Sequence, residues 1–414
     1  MPRPRTILHV LNSAGGGAAL STLGLIDLLS AEGIGACAVC HDGGTTEECE
    51  RLRDAVGGEV VFTPLYWWNR KIRMALWKRP LAEARQIWNT GWSLASTAHV
   101  LHAAEKWNAD LIHTNTILTP EGGLAARRLG LPHVWHLREL VGPGNPFRLR
   151  REGPRFGRYA AQYCSKLVAN SLVSAEQIRD WLPAGLLEVV PNGIDVGRFS
   201  TRPAPAQDNR IVVAMVGNLT SRSKKHALFI DAAARVNRNL PIEWRIYGHD
   251  PSNGGTRTGD RYVDELHTRI ARANLTDRFC WPGFVADPAE IMSQIDLLVH
   301  PADNESFGRV IVEAMAAGLP VIGTRGGGVG EIVESGVTGL LAEKDDPQDL
   351  ADCIEQLVQN PQRRAAMGQA GRKRAESNYS LTACAAGMLR VYEQAMARPL
   401  NRDSGFTVKA AVGL

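Results

Sequence analysis

Glu305 and Glu313 stand eight residues apart in PADNESFGRVIVEAMAAGLPVIGTRGGGVGEIVESGVTG, residues 301–339. Two glutamates at that spacing say little alone, and their context carries the information. Asn304-Glu305-Ser306 reads as a turn entering a short helix, with both carboxylates around its opening turns. Gly318 stops the helix, Pro320 prevents its continuation, and a strand then runs into the turn Gly326-Gly327-Gly328. The first amides of a helix lack partners and lie at the positive end of its dipole, so an anion is favoured there. Glu313, read as two turns in, can accept two ribose hydroxyls. The plainer alternative is an amphipathic helix with two solvated glutamates.

Cations that would balance a phosphate lie upstream, in Val216-Gly217-Asn218-Leu219-Thr220-Ser221-Arg222-Ser223-Lys224-Lys225-His226. Arg222 and Lys225 are each either phosphate contacts or members of a solvated basic loop. His136, Arg138 and Glu139 close an apolar run at 132–136, and the carboxyl ends of strands are where open α/β sheets bind ligands. A second glycine turn, Gly15-Gly16-Gly17, permits close backbone approach before a helix. The rest of the dinucleotide fingerprint is missing, which argues against NAD. The chain has no Asp-x-Asp pair to bridge a metal to a diphosphate, so protein cations and helix ends are expected to stabilise the leaving group without metal.

The elements that position these residues alternate regularly. Thr6 to Leu11 reads as a strand, followed by the glycine turn and a helix from Leu20 to Leu29. Further strands are read near 34–40, 110–113, 132–136, 166–169 and 187–190, with a helix near 121–129. The stretch STRPAPAQDNR after Phe199 reads as a linker. From Arg210 the pattern restarts with strands near 210–217, 243–247, 279–281 and 296–299 and helices near 227–238, 260–273 and 287–294. Alternation of this kind implies parallel, doubly wound sheets, and 414 residues are too many for one ordinary core. Residues past about 398 show no periodicity and read as a loose tail.

The segment ESFGRVIVEAMAAGLPVIGTRGGGVGEIVESGVTGLL closely resembles the core motif of the retaining glycosyltransferases of family 4, also called group 1. Val190-Pro191-Asn192-Gly193-Ile194-Asp195 and Val168-Ala169-Asn170-Ser171 resemble further family segments. The likeness is strong across about 190–345, recognisable at 6–30 and 110–175, and absent at 60–100. It implies the GT-B architecture of two facing Rossmann-like domains: residues 1–200 for the acceptor, 207–380 for the nucleotide sugar, and a helix at 381–397 crossing back to the first. It implies transfer of a sugar from a nucleoside diphosphate sugar to a glycan, lipid-linked or small-molecule acceptor, with no cofactor beyond that co-substrate. Lys224 takes the position of the family's phosphate lysine. Asn218 stands where the family usually has arginine, and Arg222 or Lys225 is left to supply the missing charge. By the same resemblance Glu305, His136 and Glu331 orient the sugar, His136 contacting it directly, and Glu313 holds the ribose. Gly16, Gly17, Phe307, Gly308, Arg309, Val310, Gly327 and Gly328 line the donor, and Phe284 and Val285 meet the base. Arg138 and Glu139 position sugar or acceptor. An epimerase or phosphorylase of the same architecture, or a silent sugar-nucleotide scaffold, are the rival readings.

Composition excludes several other classes. A net charge of +4 argues against a dedicated nucleic-acid binder. The charge is unevenly spread, however. Between Tyr66 and Arg85 six basic residues face one acid, and between Arg138 and Lys166 seven face two. Trp67, Trp68, Trp77, Trp88 and Trp92 interleave with Arg70, Lys71, Arg73, Lys78 and Arg79. This pattern suits either an anionic bilayer interface or an insertion whose tryptophans are core. Cys37-Ala38-Val39-Cys40-His41 matches the attachment pattern of c-type haem, but reads better as a buried strand with small thiols. Seven irregularly spaced cysteines favour a reducing compartment. The apolar run Ile7–Leu11 is too short for a signal core. The chain is therefore expected to be cytoplasmic, with peripheral attachment to the inner face of the membrane as an option.

Overall fold

Runs such as Ile7-Leu8-His9-Val10 and Leu297-Leu298-Val299-His300 have no polar face, and all eight residues are fully buried. Strands of that kind require helices on both sides of a parallel sheet. The computed structural model describes residues 3–70, 93, 95–142, 145, 147–149, 151–199, 210–219, 222–249, 260–302 and 304–402, and it contains two such sheets.

The chain divides into two compact units, Met1–Gly193 with Leu381–Leu414, and Ile194–Ser380. The first holds strands β1 (Thr6–Leu11), β2 (Gly35–Cys40), β3 (Val60–Phe62), β5 (Leu111–Thr114), β6 (His133–Leu137), β8 (Lys166–Ala169) and β9 (Leu187–Val189), in the order β3-β2-β1-β5-β6-β8-β9. Every pair is parallel, with Ile7 beside Ala36 on one side and Leu111 on the other. A small antiparallel pair, β4 (Asn69–Arg70) with β7 (Arg148–Leu149), lies outside that sheet. The helices α1 (Gly16–Ala31), α2 (Thr46–Ala55), α3 (Glu121–Leu129), α4 (Pro154–Tyr163) and α5 (Leu172–Arg179) alternate with the strands.

In the second unit β10 (Ile211–Val216), β11 (Ile242–Tyr247), β12 (Phe279–Gly283), β13 (Leu297–His300), β14 (Val321–Thr324) and β15 (Gly339–Ala342) form a parallel sheet ordered β12-β11-β10-β13-β14-β15. Its helices are α6 (His226–Ala233), α7 (Asp260–Arg272), α8 (Pro288–Ser293), α9 (Arg309–Ala316), α10 (Val329–Ile332), α11 (Pro347–Val358) and α12 (Pro361–Asn378). The second unit begins ahead of the proline-rich stretch, because Ile194, Val196 and Phe199 are buried in its core with Ile311 and Met315. The last helix, α13 (Leu381–Met396), belongs to the first unit. Met388, Val391 and Tyr392 pack there with Ile7, Leu25, Val134 and Val168.

Several expectations need correction. Helix α9 starts only at Arg309, behind Gly308 in the left-handed region at φ 91°, so Glu305 precedes the helix and Glu313 lies just past its first turn. Trp68 is a core residue, 8% exposed, stacked on Trp135 at 5.5 Å with its indole N–H donated to the Ile117 carbonyl at 2.8 Å. It offers nothing to a bilayer. Trp67 is 43% exposed and meets Phe147 edge-on. Arg70 lies in β4, while Lys71, Trp77, Trp88, Trp92, the stretch 200–209 and the tail from 403 lie outside the described residues. Cys37 and Cys40 are fully buried in β2, where burial pushes both thiols up to about 12, as suits packing groups rather than haem attachment. Among the described residues no helix is long and apolar enough to cross a membrane.

Candidate active site

In the second unit, polar residues gather just beyond the carboxyl ends of the central strands. After β10 the chain turns at Gly217 and passes Arg222–Lys224, a single 3-10 turn, before α6. Gly248, after β11, lies so close to this loop that a methyl group there would sit 2.1 Å from the Gly217 carbonyl oxygen. Only glycine allows that approach. Lys225 adopts φ 61° and donates to Asp345 at 2.7 Å, and His226 Nε2 is 3.3 Å from the Gly217 carbonyl.

β13 ends at His300, and Glu305 follows four residues after Pro301. The Glu305 Oε2 atom receives the Lys224 ammonium at 2.6 Å and lies 3.3 Å from His300 Nε2. Burial alone would raise the Glu305 pKa, but the hydrogen bond from His300 and the charge of Lys224 outweigh it and hold the carboxyl well below its usual range. His300 is fully buried, and burial lowers its own pKa against the pull of Glu305. The result is a fixed carboxylate with a partly exposed ammonium beside it, ready to exchange one anionic oxygen for another.

The glycine turn lies directly against the backbone of Glu305. Gly328 donates its amide to the Glu305 carbonyl at 2.8 Å, and a methyl group on Gly327 would come within 2.6 Å of the same oxygen. Gly327 also has φ 55°. Glu331 follows in α10, whose last carbonyls accept from Arg374. Phe307 is buried edge-on to Tyr379, which leaves Phe307 and Gly308 to line the loop through their backbone. Arg309 and Val310 open α9. Arg309 donates to Glu313 at 2.7 Å, and burial raises the Glu313 pKa against that charge. Phe284 is 70% exposed beyond β12, and Val285 packs on the core beneath it.

Arg222 does not fold back toward Asn218. Its guanidinium lies 4.2 Å above the Tyr262 ring and pairs with Glu265 at 3.0 Å, both on α7. His136 also departs from expectation. It is 2% exposed, inside β6, and Nδ1 faces His113 Nε2 at 3.3 Å in a stack that reaches His9 and the Tyr392 hydroxyl. Burial lowers its pKa far below the usual value. Solvent does not reach this ring, so its direct contact with a sugar is not available in the structure.

Just past β6, Arg138 is held by Asn192, by Asn115 at 3.2 Å and by Thr22 at 3.3 Å. The carboxylate of Glu139 accepts from the Thr116 hydroxyl and from the Ile117 amide at 3.3 Å. Gly16, at φ 81°, and Gly17 open α1, with open space where a Gly16 side chain would stand. Sequence reasoning missed His300 and Asn115, and met Asn192 only as part of a family-like turn without a role for its side chain. Each follows or ends a strand, so the strand-end rule was the signal that pointed to them. Among the described residues no group of three or more His, Cys, Asp or Glu is placed to hold a metal ion.

Comparison with known proteins gives this geometry its context. The model of "Glycosyltransferase Family 4" matches residues 15–198, and that of "Glycosyl transferases group 1" matches residues 198–374. The chain is similar to the D-inositol 3-phosphate glycosyltransferase of Actinosynnema mirum, 30% identical over 296 residues covering 66% of this chain and 70% of that protein. It is similar also to the Rhodococcus erythropolis protein of the same name, 30% identical over 324 residues, 73% and 72% of the two chains. Among solved structures, Anabaena HepE in complex with UDP superposes with a TM-score of 0.75 at 25% identity, covering 94% of this chain and 99% of that one. HepE is also known in complex with UDP-glucose. Two family matches that together run from residue 15 to residue 374, joined by relatives of this coverage, establish that the chain belongs to the group 1, family 4 glycosyltransferases, retaining enzymes of the GT-B fold with nucleotide-sugar donors.

Proposed function

We propose that the enzyme transfers a hexosyl unit from a UDP-sugar to a hydroxyl of a glycan, lipid-linked or small-molecule acceptor, without metal. The observation that carries this reading is the Lys224–Glu305–His300 cluster set against the Gly327–Gly328 turn. When the anomeric bond breaks, negative charge gathers on the departing diphosphate. Lys224 is a half-buried cation already aimed at an anionic oxygen, so it meets that charge with little reorganisation. Glu305 and Glu331 accept from sugar hydroxyls, Glu313 from the ribose, and Phe284 with Val285 borders the base. The new bond forms on the face the leaving group departs from, and the acceptor proton passes to the departing phosphate oxygen.

UDP is put first among nucleotides because HepE has been solved with UDP and with UDP-glucose. The acceptor is assigned to the first unit, where Arg138 and Glu139 close β6. Because these relatives are named D-inositol 3-phosphate glycosyltransferases, we would assay phosphorylated polyols first among acceptors. The test is nucleotide release from UDP-, GDP-, ADP- and dTDP-hexoses with a panel of acceptors, with and without EDTA. Release specific to UDP-hexoses and indifferent to EDTA supports the reading; EDTA-sensitive release overturns the metal-free step, and no release with any donor overturns the assignment.

A further inference from the structure

The basic cluster at 148–158 is not absorbed by the donor site, and it has a built shape. On α4, Arg155, Arg158 and Gln162 follow one another at helical spacing, and Tyr159 with Tyr163 forms the neighbouring stripe. Together with Arg151 from the preceding turn they line an open surface cavity of about 320 Å³. Its floor is aromatic: Tyr159 and Tyr163 are buried and stacked at 4.4 Å. The Arg151 guanidinium lies 5.1 Å above the Tyr159 ring. Glu152, the acid within the cluster, is taken by Arg148. Among the described residues no carboxylate pairs with Arg151, Arg155 or Arg158.

Three guanidinium groups around one small cavity repel each other until an anion joins them. A single carboxylate brings one charge, whereas a phosphate monoester brings nearly two and a diphosphate more. The planar fork of arginine matches tetrahedral phosphate oxygens in pairs, and Gln162 adds a neutral donor. The tyrosine floor offers apolar surface for the organic part of an ester. We propose that this cavity is a second anion site, outside the donor site, which binds a phosphate or diphosphate ester. The group comes either from a soluble phosphorylated compound or from a phospholipid headgroup. The proposal does not rest on the donor reading, since all its residues lie in the first unit and none belongs to the Lys224 cluster.

The test is calorimetric titration with inorganic pyrophosphate of the full chain, of Arg155→Gln/Arg158→Gln, and of both on a Lys224→Ala background, so that binding at the donor site is separated. Glutamine keeps helix propensity at these exposed positions, and circular dichroism checks the fold. On the Lys224→Ala background the double variant is expected to weaken pyrophosphate binding about tenfold or more, as befits two lost charge-assisted contacts. Unchanged affinity overturns the site, and citrate binding as tightly as pyrophosphate overturns the phosphate assignment. Flotation with phosphatidylcholine vesicles, with and without phosphatidylglycerol, distinguishes the sources. Arginine-dependent flotation with the anionic vesicles, competed by pyrophosphate, identifies a headgroup, and pyrophosphate binding without flotation identifies a soluble ligand.

Discussion

The two sheets surround their histidines with opposite electrostatics. In the second unit, β13 delivers His300 to a carboxylate that stays ionised, with a cation beside it within reach of solvent. In the first, β1, β5 and β6 deliver His9, His113 and His136 into a dry stack, where burial holds all three neutral. Histidine in a strand of such a sheet is therefore no marker of chemistry in itself. What separates the two sheets is whether a partner of opposite charge compensates desolvation.

The largest effect that tests this contrast is Lys224→Ala, expected to lower kcat about 10²–10³-fold, the loss typical of one preorganised charge donor at a transition state. Steady-state assay with the productive donor measures it, and an unaffected kcat sinks the role. The mirror experiment is His136→Gln. With the ring sealed in the stack, turnover per folded molecule should change by less than about threefold. A drop matching that of Lys224→Ala would return the ring to the reacting sugar.

A third prediction concerns Glu121, fully buried in the first unit, whose carboxylate accepts from the Ser93 hydroxyl at 2.8 Å and the Tyr66 amide at 3.2 Å. Burial pushes its pKa up to about 7 against those bonds. The folded state thus keeps a proton that the unfolded chain loses near its ordinary value, and stability falls as pH rises from there through about 7. Glu121→Gln keeps both acceptor contacts and should stabilise by about 2–3 kcal/mol more at pH 8 than at pH 5. Equal denaturation midpoints for the two proteins at both pH values would refute it.

Acidification should also tell the units apart. The folded pKa is lowered for His9 to about 3, for His133 to about 4, and for His113 and His136 well below normal, against His226, at about 4, and His300 in the second unit. Below the ordinary histidine range the unfolded chain binds protons that these rings refuse, so stability falls with pH, more steeply where four rings contribute than where two do. Glu305, with its depressed pKa, keeps its contribution until pH drops below the usual carboxylate range and loses it on passing the folded value. Hydrogen exchange at pH 7 and pH 5, corrected for intrinsic rates, should show the first sheet losing protection first. The smallest expected effect is Trp67→Ala, about 1 kcal/mol or less for one edge-on aromatic contact, against about 3–5 kcal/mol for Trp68→Ala. Thermal denaturation of both variants measures the gap.

The doubly wound architecture was legible because apolar runs bounded by glycine and proline locate buried parallel strands without reference to anything distant. The Glu305–Glu331 segment was legible for the same reason, being one continuous loop, helix and turn. The partners of those residues were not. Lys224 and Glu305 lie 81 residues apart, and Arg138 reaches Thr22 across 116. Local pattern cannot say which loops meet. Trp68 shows a second limit, since tryptophans among arginines look alike whether they face lipid or stack on Trp135. Arg222 shows a third: a long side chain on a loop found Tyr262 and Glu265 on α7, which no spacing rule within the loop anticipates.

The hydrogen bond between Tyr392 and His113, at 2.9 Å, spans 279 positions of sequence. During synthesis the ribosome must therefore make the whole of the second unit before the helix carrying Tyr392 emerges. Until then Ile7, Val134 and Val168 lack the cover that Met388 and Val391 provide. The second unit, continuous from Ile194 to Ser380, can fold as it leaves the tunnel. The first must wait with an apolar face open until α13 reaches it. The part of the enzyme made first is finished last.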